Sequence, residues 1–366
     1  MTAPARGLVL ESPRRLVPRD FDLGAVGADE GLLRVEACGL CGTDHEQYTG
    51  QLHPGWPFIP GHETVGIIEA VGDRAAAKWG VAPGDRVAVE VFQSCRRCMA
   101  CQRGDYRRCE VNGLATMYGF QSVENAPGLW GGYATYQHLG PDAMLLPIPP
   151  GLDPALATMF NPLGAGIRWA VTMPGTAPGS VVAVLGPGIR GIAACCAAKD
   201  AGAGFVMVTG CGARDHPRLE QARRFGADLV VDVAEEDPVK LLRATAGVAG
   251  ADVVVDVTAK APAAFAQAIA LARPEGTVVV AGTRGGAEVP GFDPDHVVYK
   301  ELRILGALGV DTVAYCRAIE VLAAGTYPFA DLPRTEVGLD GVEDLLLSMA
   351  GEGEPPPVHG VVRPDR

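Results

Sequence analysis

Residues Val181–Leu185 form an unbroken apolar run that passes directly into Gly186-Pro187-Gly188-Ile189-Arg190-Gly191 and then into the helical stretch Ile192–Lys199. A strand that turns into a helix through glycines at the first, third and sixth positions must send that helix back over its own sheet, so the next strand enters parallel. The same grammar recurs from about Pro154 onward. Phe205–Thr209, Leu229–Val233, Val253–Val257 and Thr277–Ala281 are apolar runs separated by helical stretches, which predicts a doubly wound parallel α/β sheet. The first glycine permits a sharp turn, the second lets backbone amides approach a pyrophosphate, and the third lets helix and strand pack closely. The helix N-terminus adds positive potential. Together these features predict a dinucleotide site built from Gly186, Gly188, Ile189, Arg190 and Gly191. The position that would hold the adenosine ribose, at the end of the following strand, is Gly210, with no acidic side chain, and Arg214 and Arg218 follow. Either these arginines meet a 2′-phosphate and NADP is accepted at least as well as NAD, or they are solvated and NAD binds through backbone contacts.

The first 150 residues read differently. Gly31–Ala37, Thr64–Val71, Asp85–Phe92 and Tyr133–Leu139 alternate or run apolar between Gly and Pro punctuation, which predicts an all-β domain. After Tyr299 come a strand-like segment at Leu302–Leu308, a helix around Val313–Ala324, and a tail whose Val358–Val362 is again β-like and could return to the first domain. The Pro-rich stretch Glu352–Pro357 reads as a surface loop. The chain of 366 residues is 48% apolar, enough for two cored domains. Its net charge of −12 argues against nucleic-acid or anionic-membrane partners. Met1–Leu10 lacks the apolar core of a signal peptide, and no spanning segment is present, so a cytoplasmic location is expected.

Ten cysteines in such a setting are ligands or buried thiols before they are disulfides. Cys95, Cys98, Cys101 and Cys109 fall within fifteen residues, and short loops bring such thiolates around one tetrahedral Zn²⁺ at small entropic cost. Two disulfides are the alternative. Arg96, Arg97, Arg103, Arg107 and Arg108 would offset the negative charge of a four-thiolate centre. Cys195 and Cys196 lie in an Ala-rich helix and read as core, whereas Cys211 and Cys316 have no partner pattern. A second metal site is suggested by Cys41-Gly42-Thr43-Asp44, followed about twenty residues later by Gly61-His62-Glu63. Three protein ligands and an open position make a catalytic zinc site.

These motifs, in this order, with Gly132-Tyr133-Ala134 between them, resemble the zinc-dependent medium-chain alcohol dehydrogenases, polyol and threonine dehydrogenase branch, over essentially the whole chain. The resemblance implies a β-rich GroES-like catalytic domain of residues 1–153 and 300–366, carrying a structural zinc lobe at about 93–112, and a Rossmann domain of 154–299. It implies one catalytic and one structural Zn²⁺, NAD(P), and reversible hydride transfer between an alcohol and a ketone. By the same resemblance Cys41 and His62 are catalytic zinc ligands, Glu63 is a ligand or an alternating one, Thr43 is the hydroxyl beside the reacting alcohol, and Asp44 supports the ligands. Thr43 would pass its proton to His45 or Glu46, the family's relay histidine standing one place beyond His45. The family's further ligand, a Cys, Glu or Asp at the start of the cofactor domain, is Asn161 here. Either Glu63 completes the ligand set while Asn161 orients a water, or Asn161 coordinates through its amide oxygen; the carboxylate balances the Zn²⁺ charge better. Trp56, Phe92, Met117 and Trp130 fall where pocket residues of the family lie and suggest a bulky or cyclic secondary alcohol, scattered core aromatics being the ordinary explanation. A homodimer or homotetramer joined near Thr277–Leu308 is implied. A zinc-free reductase of the same superfamily, or a dinucleotide-binding protein without activity, would lack one or both cysteine sets or the catalytic ligands.

Overall fold

A computed structural model describes residues 4–52, 54–352 and 357–366. Most of the Pro-rich stretch read as a loop, and the first three residues of the N-terminal stretch, lie outside the described residues. The chain divides into two compact units, residues 1–160 with 333–366, and residues 161–332.

In the first unit the strands are β1 (Ala5–Ser12), β2 (Arg15–Phe21), β3 (Gly31–Leu40), β4 (Glu63–Val71), β5 (Arg86–Val89), β6 (Tyr136–Leu139) and β7 (Leu145–Pro147). The second unit holds β8 (Val181–Leu185), β9 (Phe205–Gly210), β10 (Leu229–Asp232), β11 (Ala251–Asp256), β12 (Ala272–Val280) and β13 (Arg303–Gly306), after which β14 (Arg334–Val337) and β15 (His359–Val362) rejoin the first.

The first unit is built on β3, which pairs antiparallel with β4, β6 and β15. Its sheet runs β14-β15-β3-β4-β5-β7. The tail thus returns as expected, because Val361 and Val362 are fully buried and their burial needs the partner strand that β3 supplies. Leu33, Ile68, Val87, Val89 and Leu139 form one core cluster; Val9, Leu10, Leu40, Phe58, Ile59 and Tyr133 belong to another. Each such side chain contributes about 1.5–3 kcal/mol by leaving water. The β1–β2 hairpin has no glycine-rich turn to announce it and escaped the pattern reading.

At the β14–β15 junction Arg334 Nε donates to His359 Nδ1 over 3.3 Å, and His359 Nε2 lies 3.3 Å from Thr158 Oγ1, whose hydroxyl donates to the Ala155 carbonyl over 2.7 Å. Arginine only donates, so Nδ1 accepts and the ring is neutral. Burial, then the Arg334 charge, pulls His359 from 6.5 down to about 3. The folded state therefore binds fewer protons than the unfolded one between those values, and stability falls as pH falls below 6.5. We expect this site to account for about 2 kcal/mol of lost stability on going from pH 7.5 to 5. Urea unfolding of wild type and His359→Gln at both pH values measures it; an equal pH dependence in the two proteins refutes the assignment.

The second unit is an all-parallel sheet of order β10-β9-β8-β11-β12-β13. Numbered along the chain, this is the 3-2-1-4-5-6 order of the Rossmann fold. Val182–Leu185, Val206–Val208 and Val253–Val255 are buried throughout, as strands covered on both faces require. Cys195 and Cys196 are fully buried in the helix Ile189–Asp200, and Cys211 and Cys316 are exposed. The expected domain limits shift in the structure. The chain enters the second unit at 161 instead of 154 and leaves it at 333 instead of 300, because β13 completes the parallel sheet by pairing with β12 and Ala314, Ala318 and Leu322 of the helix Thr312–Ala324 are buried. Among the described residues, no helix is long and apolar enough to cross a membrane.

Candidate metal centres and cofactor cleft

The sulfurs of Cys95, Cys98, Cys101 and Cys109 lie within 4.8 Å of one another. Arg96 takes a left-handed conformation (φ 58°), which folds Cys95–Cys98 into a knuckle. Backbone N–H groups then point at sulfur: Cys98 N at Cys95 (3.4 Å), Cys101 N at Cys98 (3.5 Å), and Asn112 N at Cys109 (3.4 Å). Ser94 Oγ donates to Cys101 over 3.2 Å. Amides aimed at sulfur stabilise thiolate over thiol. Burial works against ionisation of Cys109, yet the amides of Asn112 and Cys95 prevail and draw it down to about 6; the amides of Cys101 and Glu110 lower Cys98; burial pushes Cys101 up to about 12. This cluster of four sulfurs, two of them drawn toward thiolate and none in a disulfide, fits a tetrahedral Zn²⁺. Arg107 and Arg108 of the expected basic collar pair with Asp105, and Arg96 donates to the Ala143 carbonyl. The lobe is tied to the sheet by Tyr106, whose hydroxyl donates to the buried Glu90 over 2.8 Å.

Cys41, His62 and Glu63, all buried, form a second group whose ligand atoms also lie within 4.8 Å of one another. Local structure explains how residues twenty apart meet. Cys41 directly follows β3 and caps the helix Gly42–Tyr48, while Glu63 opens β4; β3 and β4 pair antiparallel with Gly39 opposite Glu63. A Cβ on Gly39 would stand 2.5 Å from Glu63 Oε2, so a side chain there would push that carboxylate aside. Gly61 has φ +92°, and its Cβ would meet the Tyr133 ring at 2.6 Å. Asp44 serves both sides: its Oδ2 accepts from Cys41 N over 2.8 Å, and its Oδ1 lies 3.3 Å from His62 Nδ1. These last two buried atoms are not aligned for a hydrogen bond. With Nδ1 facing Asp44, Nε2 is the ring nitrogen left for a metal, an orientation typical of carboxylate-supported ligand histidines. Burial alone would lower His62, but Asp44 and Cys41 carry it well above the ordinary histidine range. A buried thiolate, imidazole and carboxylate brought together with Asp44 behind them suit a divalent cation.

Thr43 is half-buried on the first turn of the same helix. His45 is buried, with Nε2 3.1 Å from Glu352 Oε1, and Arg14 holds that carboxylate from the other side at 2.9 Å.

In the second unit a cleft of about 430 Å³ opens at the carboxyl ends of β8 and β11, where the strand order reverses and ligands of such sheets bind. Gly186, Gly188, Arg190, Gly191, Gly210 and Arg218 line it. Gly186 has φ +100°, and a Cβ on Gly191 would overlap the Gly186 carbonyl, so both glycines are geometrically necessary. Ile189 opens the twelve-residue helix behind the loop. Arg214 is exposed and outside the lining, whereas Arg218 is inside it. Asp215, which no local sequence pattern marks, is a further residue lining this cleft. Its carboxylate accepts from Cys211 N over 2.9 Å and pairs with Arg218 at 3.6 Å. It stands five residues past β9, and its neighbour Arg214 drew the reading toward positive charge.

Asn161 is buried, its Nδ2 donating to Tyr315 Oη and its Oδ1 accepting from Arg190 Nη2, each over 3.1 Å. The aromatic residues expected in a substrate pocket are mostly core. Trp130 belongs to a buried cluster with Tyr118 and Leu139, Phe92 and Met117 pack with Tyr106 beside the cysteine lobe, and Trp56 stacks on Phe58.

Residues 27–150 match the alcohol dehydrogenase GroES-like domain, and residues 191–324 match the zinc-binding dehydrogenase family. The chain is 66% identical to a Mycobacterium tuberculosis protein named as a probable alcohol dehydrogenase, over 99% of each chain. It is 32% identical to sorbitol dehydrogenase of Bacillus subtilis, covering 93% of this chain and 92% of that one. A structure assigned as a zinc-binding dehydrogenase of Sinorhizobium meliloti, bound to NADP, superposes with a TM-score of 0.82 at 28% identity, over 99% of this chain and 100% of that one. With two clusters that fit zinc and a glycine-lined dinucleotide cleft, the chain belongs to the zinc-dependent medium-chain alcohol dehydrogenases, oxidoreductases that act on the CH–OH group with a nicotinamide dinucleotide.

Proposed function

We propose that this protein oxidises a secondary alcohol to a ketone, reversibly, with a catalytic zinc held by Cys41, His62 and Glu63 and a structural zinc held by the four-cysteine lobe. The observation that carries the reading is the buried Cys41-His62-Glu63 triplet braced by Asp44. Zinc supplies Lewis acidity to the alcohol oxygen, and the nicotinamide ring supplies the hydride acceptor. Asp44 holds the Cys41 backbone and faces His62, fixing both ligands at once. The Thr43 hydroxyl takes up the alcohol proton, and His45, with the exposed Glu352 beyond it, carries it onward. Glu63 brings negative charge to the cation, whereas Asn161 is occupied by Arg190 and Tyr315 within its own unit.

The secondary carbinol agrees with the likeness to sorbitol dehydrogenase. A bulky or cyclic skeleton loses its basis, since Trp130, Phe92 and Met117 pack in cores. Asp215 suits the ribose hydroxyls of NAD, and Arg218 suits the 2′-phosphate of NADP, so we propose that both cofactors are accepted. An alcohol and ketone panel run with NAD and NADP separately tests activity and preference together. Asp215→Asn is expected to shift the kcat/KM ratio toward NADP by about tenfold, and Arg218→Ala toward NAD by a similar factor. A ratio unchanged in both variants places cofactor discrimination elsewhere, and no turnover of secondary alcohols removes the substrate proposal.

Among the described residues β13 is an edge strand, and Val298, Tyr299, Ile304, Leu308 and Val313 are exposed around it, which supports a homo-oligomer joined through this edge. A monomeric sedimentation coefficient counts against it. No disulfide joins any of the ten cysteines, which agrees with a cytoplasmic location.

A further inference from the structure

We propose that Asn161 is a positioning residue for the cofactor, holding Arg190 where its guanidinium binds the dinucleotide's diphosphate. Asn161 occupies the place where the family usually has a metal ligand. Its side-chain oxygen accepts from Arg190 Nη2 over 3.1 Å, and its amide nitrogen donates to Tyr315 Oη over 3.1 Å, both in the second unit. The two hydrogen bonds fix the amide plane, because Tyr315 is fully buried in the helix Thr312–Ala324 and cannot drift.

Arg190 is gripped from a second direction. Its guanidinium carbon lies 5.3 Å from the centroid of the Trp169 ring, a cation–π distance. Trp169 is itself anchored, donating from Nε1 to the Gly309 carbonyl over 3.0 Å. It sits in a π-helical turn, Arg168–Thr172. Such turns re-aim side chains that a regular helix would leave elsewhere, and they recur at functional sites.

What Arg190 is held for follows from where it stands. It is the second residue of the helix Ile189–Asp200 and lines the cleft together with Gly186, Gly188 and Gly191. The backbone amides of that turn and the positive helix end already favour an anion there. A guanidinium immobilised beside them adds a full charge and a rigid donor fork suited to phosphate oxygens. The amide at 161 contributes to this in a way an acid would not. It accepts from the guanidinium without adding negative charge next to an anionic ligand. Immobilising a long side chain in advance also removes part of the entropy that binding would otherwise cost.

The inference rests on the dinucleotide reading of the cleft, and the test separates the two. Binding of ADP-ribose, which carries the diphosphate, and of adenosine, which does not, is measured by calorimetry on the zinc-loaded protein. Arg190→Ala is expected to weaken ADP-ribose by about tenfold or more and to leave adenosine within about twofold. Asn161→Ala is expected to move ADP-ribose in the same direction, and the double variant to bind it no worse than Arg190→Ala alone, because Asn161 acts only through Arg190. Zinc content should stay that of the wild type throughout. Where alanine at 161 fails to fold, Asn161→Leu, of similar volume, takes its place in the cycle. Additive losses, an unchanged ADP-ribose affinity, or zinc lost on changing Asn161 overturn the proposal. Wild type that binds neither ligand overturns the dinucleotide reading with it.

Discussion

Cys41→Ala is expected to remove one of two zinc ions per chain and to lower kcat/KM for alcohol oxidation by about a thousandfold or more. Lewis-acid stabilisation by a bound metal amounts to several kcal/mol of transition-state energy, and each 1.36 kcal/mol is a factor of ten in rate. The variant should keep its fold, because Cys41 caps a helix through its backbone contact with Asp44, which alanine preserves. Glu63→Gln should also lose zinc, by dissociation on dilution into a chelator, since an amide neither balances the ion's charge nor binds it as tightly. Asn161→Ala should retain both ions. Metal analysis by mass spectrometry alongside steady-state kinetics decides the matter: two zinc ions in the Cys41 variant, or equal retention in the Glu63 and Asn161 variants, removes the ligand assignment. Asp44→Asn should fall between, with about 10–100-fold lower activity, as is typical when the group orienting a ligand histidine is changed.

The second large effect is expected in the cysteine lobe. Cys98→Ser should release the other zinc while leaving the Cys41 site loaded. The lobe has a small apolar cluster, Val91, Phe92 and Tyr106, with Cys101, Met117 and Met144 packed against it, too little to order some twenty residues without a metal. Loss of stability of several kcal/mol should follow, with Tm lower by on the order of 10 °C. Hydrogen exchange should show loss of protection concentrated between Gln93 and Asn112. Protection there equal to that of wild type would mean that the four sulfurs are not holding the lobe together.

The two cysteine variants separate two kinds of information in the chain. The four-cysteine lobe was legible from spacing alone, because ligands a few residues apart can close around one ion whatever the distant chain does. The glycine loop was legible for the same reason: Gly186 and Gly191 answer to constraints within six residues of themselves. Cys41 and His62-Glu63, by contrast, were suggested by residue type and family resemblance and meet only because β3 pairs with β4. Sheet grammar gave β4, β8, β9 and β15 to within a residue and β3 three residues short of its end, since runs of β-branched and apolar side chains bounded by glycine have few other uses. The β1–β2 hairpin lacked such punctuation. The domain limits moved by seven residues at one crossing and thirty-three at the other because membership of a unit is decided by partners, as when β13 pairs with β12, and not by local composition.

Side-chain partnerships across long separations followed the same rule. Asn161 looked like a weakened metal ligand by its place in the chain, yet it meets Arg190, 29 residues away, and Tyr315, 154 residues away. Trp130 and Phe92 looked like a substrate pocket and are core. Asp215 was passed over because a carboxylate's role depends on whether its side chain enters the cleft, which a helix start does not reveal. The amino-acid sequence by itself determined the four-cysteine cluster, the glycine turn after β8 and the alternation of a β-rich and a parallel-sheet unit, all set by short-range geometry. Only the tertiary structure decided which polar side chains face which, because a buried donor or acceptor takes its partner from whatever the packed fold brings within about 3 Å of it.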